Sequence, residues 1–261
     1  MAGVEGRRAL VTGAGSADGI GFATALILAQ QGARVAITST TKRIFERLDE
    51  MPPGHGHVAF LADLTKPRAA DYLFADAARA LGGIDILVNN AGMVQTGVRQ
   101  KASRLHRIDD DEWARAIELN LNIAFRMTRA VLPAMMRRRY GRIVHMSSVT
   151  GPLVSNPRSA GYSAGKAGMT GMMRALALEV AAKGITVNAV GPGWVATSSS
   201  SRRETVAGWN TPIGRSATAA EIGHVAAFLA SEEASYVTGQ LIVVDGGNSI
   251  QENKGPEKGY Y

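Results

Sequence analysis

Seven short runs of apolar and β-branched residues alternate along the chain with stretches of helical periodicity. The runs cover residues 8–12, 34–39, 57–61, 84–89, 142–147, 186–190 and 241–244. Apolar residues at helical spacing fill residues 21–31, 69–81, 110–137, 161–183 and 219–230. Strands that are apolar on both faces and alternate with helices indicate a parallel sheet covered on each side. With right-handed crossovers, this pattern predicts a doubly wound α/β fold with seven parallel strands.

The chain has neither internal repeats nor a low-complexity linker, which predicts one domain over residues 1–248. Two polar segments interrupt the alternation of strands and helices. Residues 93–109 form a basic insertion between a strand and a helix, and residues 249–261 form a C-terminal tail. Both are expected to be surface loops or ends.

The charge balance favours acidic partners, because 29 Lys and Arg against 22 Asp and Glu give a net charge of +7. Aromatic residues make up only 6% of the chain and do not interleave with the basic clusters, so nucleic-acid binding is not expected. The lack of cysteine excludes thiolate catalysis and cysteine-ligated metal sites, and no metal site is predicted. No signal peptide and no apolar run of ~18 residues is found, so a soluble cytoplasmic protein without membrane contact is expected.

The first strand runs into a glycine-rich turn, residues 13–21, with the sequence GAGSADGIG, and a helical pattern follows. Glycines allow a tight turn and a close approach of the backbone to a ligand. The N-terminus of the following helix offers free N–H groups to a pyrophosphate. A glycine turn alone is a weak indication, but its position between a first strand and a helix supports a dinucleotide site.

This turn and several later motifs resemble the short-chain dehydrogenase/reductase family. The family turn reads Thr-Gly-x-x-x-Gly-x-Gly, whereas this chain has Thr12-Gly13, five residues, and then Gly19-Ile20-Gly21, two residues more. The other motifs follow in the family's order over almost the whole chain: Asp63-Leu64, Asn89-Asn90-Ala91-Gly92, Pro192-Gly193 with Thr197, Tyr236-Val237-Thr238-Gly239 and Val244-Asp245-Gly246-Gly247. The resemblance implies a Rossmann fold and an oxidoreductase that uses a nicotinamide dinucleotide.

Tyr162 and Lys166 are four residues apart at the start of a helical stretch, so their side chains lie on one face. Hydride transfer to a carbonyl requires a proton for the oxygen, but a tyrosine pKa near 10 is too high for efficient acid–base work at neutral pH. The ammonium is expected to lower that pKa, and an oxidised nicotinamide adds to the effect. Ser148 is expected to hydrogen-bond the substrate oxygen, and is preferred to Ser147 because neighbours on a strand face opposite sides.

The resemblance implies further site residues. Asn120 matches a family asparagine that kinks its helix and holds a water in a proton relay through Lys166, with Asn122 as the alternative, while His145 is expected to be structural. Residues 195–211, a serine-rich stretch, are expected to be a short loop that serves as the substrate lid. The implied cofactor-binding residues are Gly13, Gly15, Ser16, Asp18, Gly19, Ile20, Ser39, Thr40, Asp63, Leu64, Asn90, Ala91, Gly92, Tyr162, Lys166, Pro192, Gly193, Val195 and Thr197.

The end of the second strand favours NADP(H) over NAD(H). An Asp or Glu usually holds a free ribose 2′-hydroxyl at this point. Here Ser39 and Thr40 take that place, with Lys42 and Arg43 just beyond, and hydroxyls with nearby cations suit a 2′-phosphate. Against this, NADP-binding family members often carry an arginine in the glycine turn, and this turn has Asp18.

The predicted activity is that of an NADP(H)-dependent carbonyl reductase or secondary-alcohol dehydrogenase acting on a small molecule. The stretch Thr211-Pro212-Ile213-Gly214-Arg215 is similar to the 3-oxoacyl-carrier-protein reductase branch of the family. An NAD-dependent secondary-alcohol or sugar dehydrogenase is the alternative, and a nucleotide-sensing protein without catalysis is the alternative of another class. Helices 110–137 and 161–183 are apolar around much of their circumference, and family members pair through such helices, so a homotetramer is expected.

Overall fold

The strands of the computed structural model form one parallel sheet in the order β3-β2-β1-β4-β5-β6-β7. The structure describes residues 3–92 and 103–252. The strands are β1 (Arg8–Thr12), β2 (Arg34–Ser39), β3 (Val58–Leu61), β4 (Ile86–Asn89), β5 (Gly141–Met146), β6 (Ile185–Pro192) and β7 (Leu241–Val244). The predicted doubly wound α/β fold is confirmed. The strand order reverses between β1 and β4, and folds of this type bind ligands at such a reversal, outside the carboxyl ends of the strands.

Helices cover both faces of the sheet and enclose two apolar cores. Residues of α1 and α8 pack on one face, and residues of α3, α5 and α6 pack on the other. The helices are α1 (Ile20–Gln30), α2 (Arg43–Asp49), α3 (Ala69–Leu81), α4 (Asp110–Ile117), α5 (Ile123–Arg138), α6 (Ala160–Val180), α7 (Arg202–Trp209) and α8 (Ala219–Ala230). Strands β1, β4, β5 and β6 are buried along nearly their whole length, as their apolar sequences predict.

Three local features differ from the sequence prediction. The helix predicted over 110–137 is interrupted by a π-helical turn, Glu118–Asn122, between α4 and α5. The segment 195–211 was expected to be a loop, but it contains α7, which Ser201 and Glu204 cap reciprocally. Helix α2 was not predicted, because Ile44 is its one buried residue and the apolar periodicity is weak. Residues 93–102 of the insertion and 253–261 of the tail lie outside the described residues.

Two glycines let α6 approach α4 and the π-helical turn closely. A Cβ atom on Gly161 would lie 2.6 Å from the Cβ of Ala116, and one on Gly165 would lie 2.7 Å from the Cβ of Asn120. Real side chains do not pack this tightly, so both positions require glycine. The close contact brings the first turns of α6, which carry Tyr162 and Lys166, beside Asn120.

We expect the Gly165→Ala substitution to lower the free energy of unfolding by about 1–3 kcal/mol, because the added methyl group overpacks the contact with Asn120. Gly171→Ala on the same helix is the matched control. Gly171 is exposed and an added Cβ meets nothing within 4 Å, so the better helix propensity of alanine raises stability by about 0.5–1 kcal/mol. Chemical denaturation measures both changes, and equal effects of the two substitutions would contradict the packing argument.

Candidate functional site

A cavity of about 330 Å³ lies along the carboxyl ends of β1–β4. Residues from the glycine turn, from the ends of β2, β3 and β4, and from the start of α5 surround it. Ten of the predicted cofactor-binding residues line it: Gly13, Gly15, Ser16, Ser39, Thr40, Asp63, Leu64, Asn90, Ala91 and Gly92. Arg43, one of the two cations expected near a 2′-phosphate, also lines it, whereas Lys42 does not. The cavity is completed by residues that were not predicted to bind the cofactor: Thr38, Thr41, Ala62, Thr65, Leu119, Ile123, Ser198 and Ser199.

Side-chain hydrogen bonds fix the glycine turn to the end of β4. The Thr12 hydroxyl accepts the backbone N–H groups of Asn90 and Ala91, at 3.1 and 3.0 Å. The Asn90 amide donates to the carbonyls of Thr12 and Gly13. A Cβ on Gly13, whose φ is +72°, would lie 2.8 Å from the Cα of Ala91, so only glycine fits at this crossing. These contacts hold the glycine turn and the end of β4 in fixed positions on one wall of the cavity.

The end of β2 presents hydroxyl groups and a cation to the cavity. The Ser39 hydroxyl donates to the carbonyl of Thr41 at 2.9 Å, which curls the chain into α2 and brings Arg43 to the cavity wall. Asp63 is the single carboxylate in the lining, and its Oδ1 accepts from the backbone N–H and hydroxyl of Thr65. This end of the cavity can therefore receive an anionic group beside Arg43.

The start of α1 offers unpaired backbone donors near the glycine turn. Gly19 caps the helix without a side-chain hydrogen bond, and the first turn after Ile20 carries no acidic residue. Such a helix N-terminus attracts anions through its N–H groups and its dipole.

Several predicted cofactor-binding residues lie outside the cavity lining. They are Asp18, Gly19, Ile20, Tyr162, Lys166, Pro192, Gly193, Val195 and Thr197. Pro192 ends β6, and Gly193 packs tightly against Asp245. Ser198 and Ser199, directly after Thr197, do line the cavity.

Ser148, Tyr162 and Lys166 come together where β5 meets the first turns of α6. The Ser148 hydroxyl accepts the backbone N–H of Thr150 at 3.0 Å and lies close enough to the Tyr162 phenol to lower its pKa. The Lys166 Nζ lies 5.8 Å from the centre of the Tyr162 ring and donates to the backbone carbonyl of Met146 at 2.7 Å. Ser147 faces away from this group and bonds Thr170 and the carbonyl of Lys166.

The direction of the Tyr162 pKa shift differs from the prediction. Burial raises the pKa of Tyr162 above its ordinary value of 10; the hydrogen bond from Ser148 lowers it, and Glu204 on α7 raises it further. Burial also lowers the pKa of Lys166 to about 8. The prediction considered only the ammonium, which favours the phenolate and so lowers the pKa. It omitted the cost of burying the charged phenolate, which is the largest effect and raises the pKa.

Asn120 sits in the π-helical turn, between the cavity and Lys166. Its Nδ2 donates to the carbonyl of Ala116 at 2.9 Å, while its buried Oδ1 has no hydrogen-bond partner among residues 3–92 and 103–252. The asparagine thus keeps one acceptor available. Asn122, the alternative, donates to Glu118 and is less buried.

His145 is a fully buried neutral side chain. The Asn89 amide lies 3.2 Å from its Nδ1, which makes that nitrogen an acceptor. Burial, and then the charge of Lys166, lower the pKa of His145 to about 4. The ring therefore adds no charge to the site at neutral pH.

The residues of the cavity fit a nicotinamide dinucleotide. Crowded glycines bring the backbone to the cavity wall, a helix N-terminus lies beside it, and hydroxyls with one guanidinium close its far end. Asn120 packs against Gly165, next to Lys166 in α6, and borders Gly92 of the cavity wall. The arrangement can hold a dinucleotide and move a proton beside it. Within residues 3–92 and 103–252, no cluster of His, Asp and Glu has the makings of a metal site, and no helix has the length and apolarity to span a membrane.

Comparisons with known proteins agree with this geometry. A family model described as enoyl-(acyl carrier protein) reductase matches residues 13–249. The 3-oxoacyl-acyl-carrier-protein reductase FabG of Escherichia coli (strain K12) is 40% identical over 248 residues, which cover 93% of this chain and 97% of that protein. Oxidoreductase UcpA of Escherichia coli O157:H7 is 38% identical over 265 residues, covering 97% and 98%. The solved structure of a short-chain dehydrogenase/reductase from Burkholderia xenovorans has a TM-score of 0.87 and 35% identity, covering 97% of this chain and 100% of that chain.

Proposed function

Because this chain belongs to the short-chain dehydrogenase/reductase family and is an oxidoreductase, we propose that it transfers a hydride between NADP(H) and the carbonyl or secondary-alcohol carbon of a small molecule. The observation that carries the proposal is the contact of Ser148, Tyr162 and Lys166 at the carboxyl edge of the sheet, next to a cavity suited to a dinucleotide. The relatives named as 3-oxoacyl-acyl-carrier-protein reductases support reduction of a ketone.

Tyr162 is the general acid in the direction of reduction. The dinucleotide, when bound, supplies the hydride to the carbonyl carbon. The raised pKa of Tyr162 keeps the phenol protonated at neutral pH, so it has a proton to donate to the carbonyl oxygen. Ser148 accepts the N–H of Thr150, so its own O–H stays available to donate to the phenol or to the substrate oxygen. In the direction of oxidation, the same groups remove the proton from an alcohol.

Lys166 stabilises the phenolate that proton donation leaves behind. One of its three N–H donors is held by the carbonyl of Met146, which orients the ammonium and leaves two donors for the site. Its pKa of about 8 keeps it mostly charged at pH 7 and allows it to pass a proton on. The free Oδ1 of Asn120 is suited to hold a water that completes a proton path from solvent.

The preference for NADP(H) over NAD(H) is supported by the end of β2. Ser39, Thr40 and Arg43 border the cavity there, and no carboxylate from β2 faces it within the described residues. Asp18, which stands in the glycine turn where NADP-binding members often carry an arginine, does not line the cavity. An NAD-dependent alcohol or sugar dehydrogenase remains the alternative that cofactor binding tests.

A homotetramer is proposed from the apolar side chains that α4, α5 and α6 expose. Trp113, Phe125 and Leu178 are 41%, 44% and 86% exposed. Large apolar side chains on neighbouring helices are suited to a two-fold contact between copies. The cysteine-free composition is compatible with a reducing cytoplasm, which is the proposed location.

We expect Tyr162→Phe to lower kcat/KM for ketone reduction by about 100-fold or more, because it removes the general acid. NADPH absorbance measures turnover: it falls with NADPH and 3-keto thioesters or cyclic ketones, and rises with NADP⁺ and polyols. Tyr236→Phe is the matched control, since Tyr236 is fully exposed, and it should leave turnover unchanged. Retention of most turnover in Tyr162→Phe would refute the mechanism. NADPH binding without turnover of any substrate by the wild-type protein would favour a nucleotide sensor instead.

We expect Arg43→Gln to raise the NADPH dissociation constant about tenfold or more while leaving that of NADH nearly unchanged, because only NADPH carries a 2′-phosphate for a charge-assisted hydrogen bond. Lys42→Gln is the control: Lys42 precedes α2 and does not line the cavity. Fluorescence titration of the wild type and both variants with NADPH and NADH gives the six dissociation constants. Equal weakening of both cofactors by Arg43→Gln would argue against recognition of the 2′-phosphate.

A further inference from the structure

The carboxylate of Asp18 links two chain segments that lie 180 residues apart in sequence. Its Oδ2 accepts the backbone N–H of Ser198, and its Oδ1 accepts the Ser198 hydroxyl at 3.0 Å. The Ser16 hydroxyl also donates to Oδ1, at 2.8 Å. Ser16 and Ser198 both line the cavity, on the glycine turn and after β6 respectively. The carboxylate therefore joins the two sides of the cavity mouth.

A negative charge at this position requires an explanation. The glycine turn binds anions in this fold, and a carboxylate beside a pyrophosphate would weaken binding by repulsion. The turn is two residues longer than the family pattern, and the added length carries Asp18 toward Ser198. Burial alone would raise the pKa of Asp18, but the hydrogen bonds from Ser16 and Ser198 lower it below its usual value, so the group stays charged.

The segment that Asp18 contacts is attached to the body of the protein at both ends. At its start, Val195 pairs with Ala217, whose carbonyl accepts the Ala196 N–H at 2.8 Å. At its end, the Gln251 amide donates to the carbonyl of Asn210 at 3.0 Å. Within α7, Gly208 is the one buried residue, and it packs against Ser216. At the other end, the Ser200 hydroxyl bonds the carbonyl of Val195 and accepts the N–H of Thr197, which forms a local turn next to Ser198. Between these two attachments, the contact of Ser198 with Asp18 joins the stretch before α7 to the glycine turn.

We propose that Asp18 is a positioning residue whose contact with Ser198 holds the lid, residues 195–211, over the cavity in the free protein and slows exchange of the dinucleotide. The part about the dinucleotide rests on the proposed function; the part about the lid does not. If the carboxylate did nothing but repel the phosphates, its removal would strengthen dinucleotide binding and slow release. That result is the opposite of the one expected here.

The lid is tested without any ligand by limited proteolysis with trypsin. Arg202 and Arg203 are exposed at the start of α7, and cleavage there needs local opening of the lid. Asp18→Ala removes the charged, solvent-exposed acceptor of the Ser198 hydrogen bonds. We expect trypsin to cleave this variant after Arg202 and Arg203 about fivefold to tenfold faster than the wild type. Asp18→Asn keeps the shape and loses the charge, and should show an intermediate rate.

The control is Asp76→Ala, which removes an exposed aspartate that pairs with Arg79 on α3, far from the lid in the fold. It should cleave within about twofold of the wild-type rate, and thermal unfolding of all variants should coincide. A wild-type cleavage rate in Asp18→Ala would overturn the proposal.

Dinucleotide release is measured by stopped-flow displacement of NADPH, followed by its fluorescence. Asp18→Ala should release NADPH faster by a factor similar to that seen in proteolysis. Unchanged or slower release, together with faster proteolysis, would overturn the role in exchange and leave Asp18 as a lid contact alone. Failure of the wild-type protein to bind NADPH would refute the proposed function, while the proteolysis result would still decide the lid contact.

Discussion

The buried ammonium of Lys166 is the group on which the site depends. It donates to the backbone carbonyl of Met146, at the end of β5, and burial lowers its pKa to about 8. A backbone carbonyl is neutral, so it orients the ammonium and leaves its positive charge in place. A carboxylate partner would neutralise that charge. The ammonium lies 5.8 Å from the centre of the Tyr162 ring, and its charge helps to lower the pKa of His145.

The parallel sheet supplies the geometry for this charge. Because the strand order reverses between β1 and β4, the carboxyl ends of the central strands leave room for a cavity, and β5 ends beside it. Glycines at 161 and 165 then let α6 bring Tyr162 and Lys166 against Asn120. Burial raises the pKa of Tyr162. The phenol therefore stays protonated until the positive charge of an oxidised nicotinamide lies close to it.

Local patterns were sufficient to predict most of the fold. The bounds of β1, β2, β7, α3 and α8 follow directly from apolar runs and helical spacing. The π-helical turn, α2 and α7 escaped prediction because few of their residues are buried or their periodicity is broken. Most of the motif residues lie in the cavity wall. Arg43 and Ser198 also line the cavity, but the course of the loops before them places them there, and no motif indicates it. No local pattern could predict the contact of Asp18 with Ser198, because the two residues lie 180 positions apart. The pKa of Tyr162 could not be predicted from the spacing of residues either, because it depends on burial.

The most direct test of the account is a pH titration of Tyr162 by ¹³C NMR, with tyrosine labelled at Cζ and the resonance assigned through Tyr162→Phe. The account predicts a pKa above 10 in the free protein and a lower value when oxidised NADP is bound, since the nicotinamide charge then acts with Lys166 against the cost of burial. A pKa that is the same in both forms would contradict the claim that a buried ammonium and a bound dinucleotide together prepare this phenol for proton transfer.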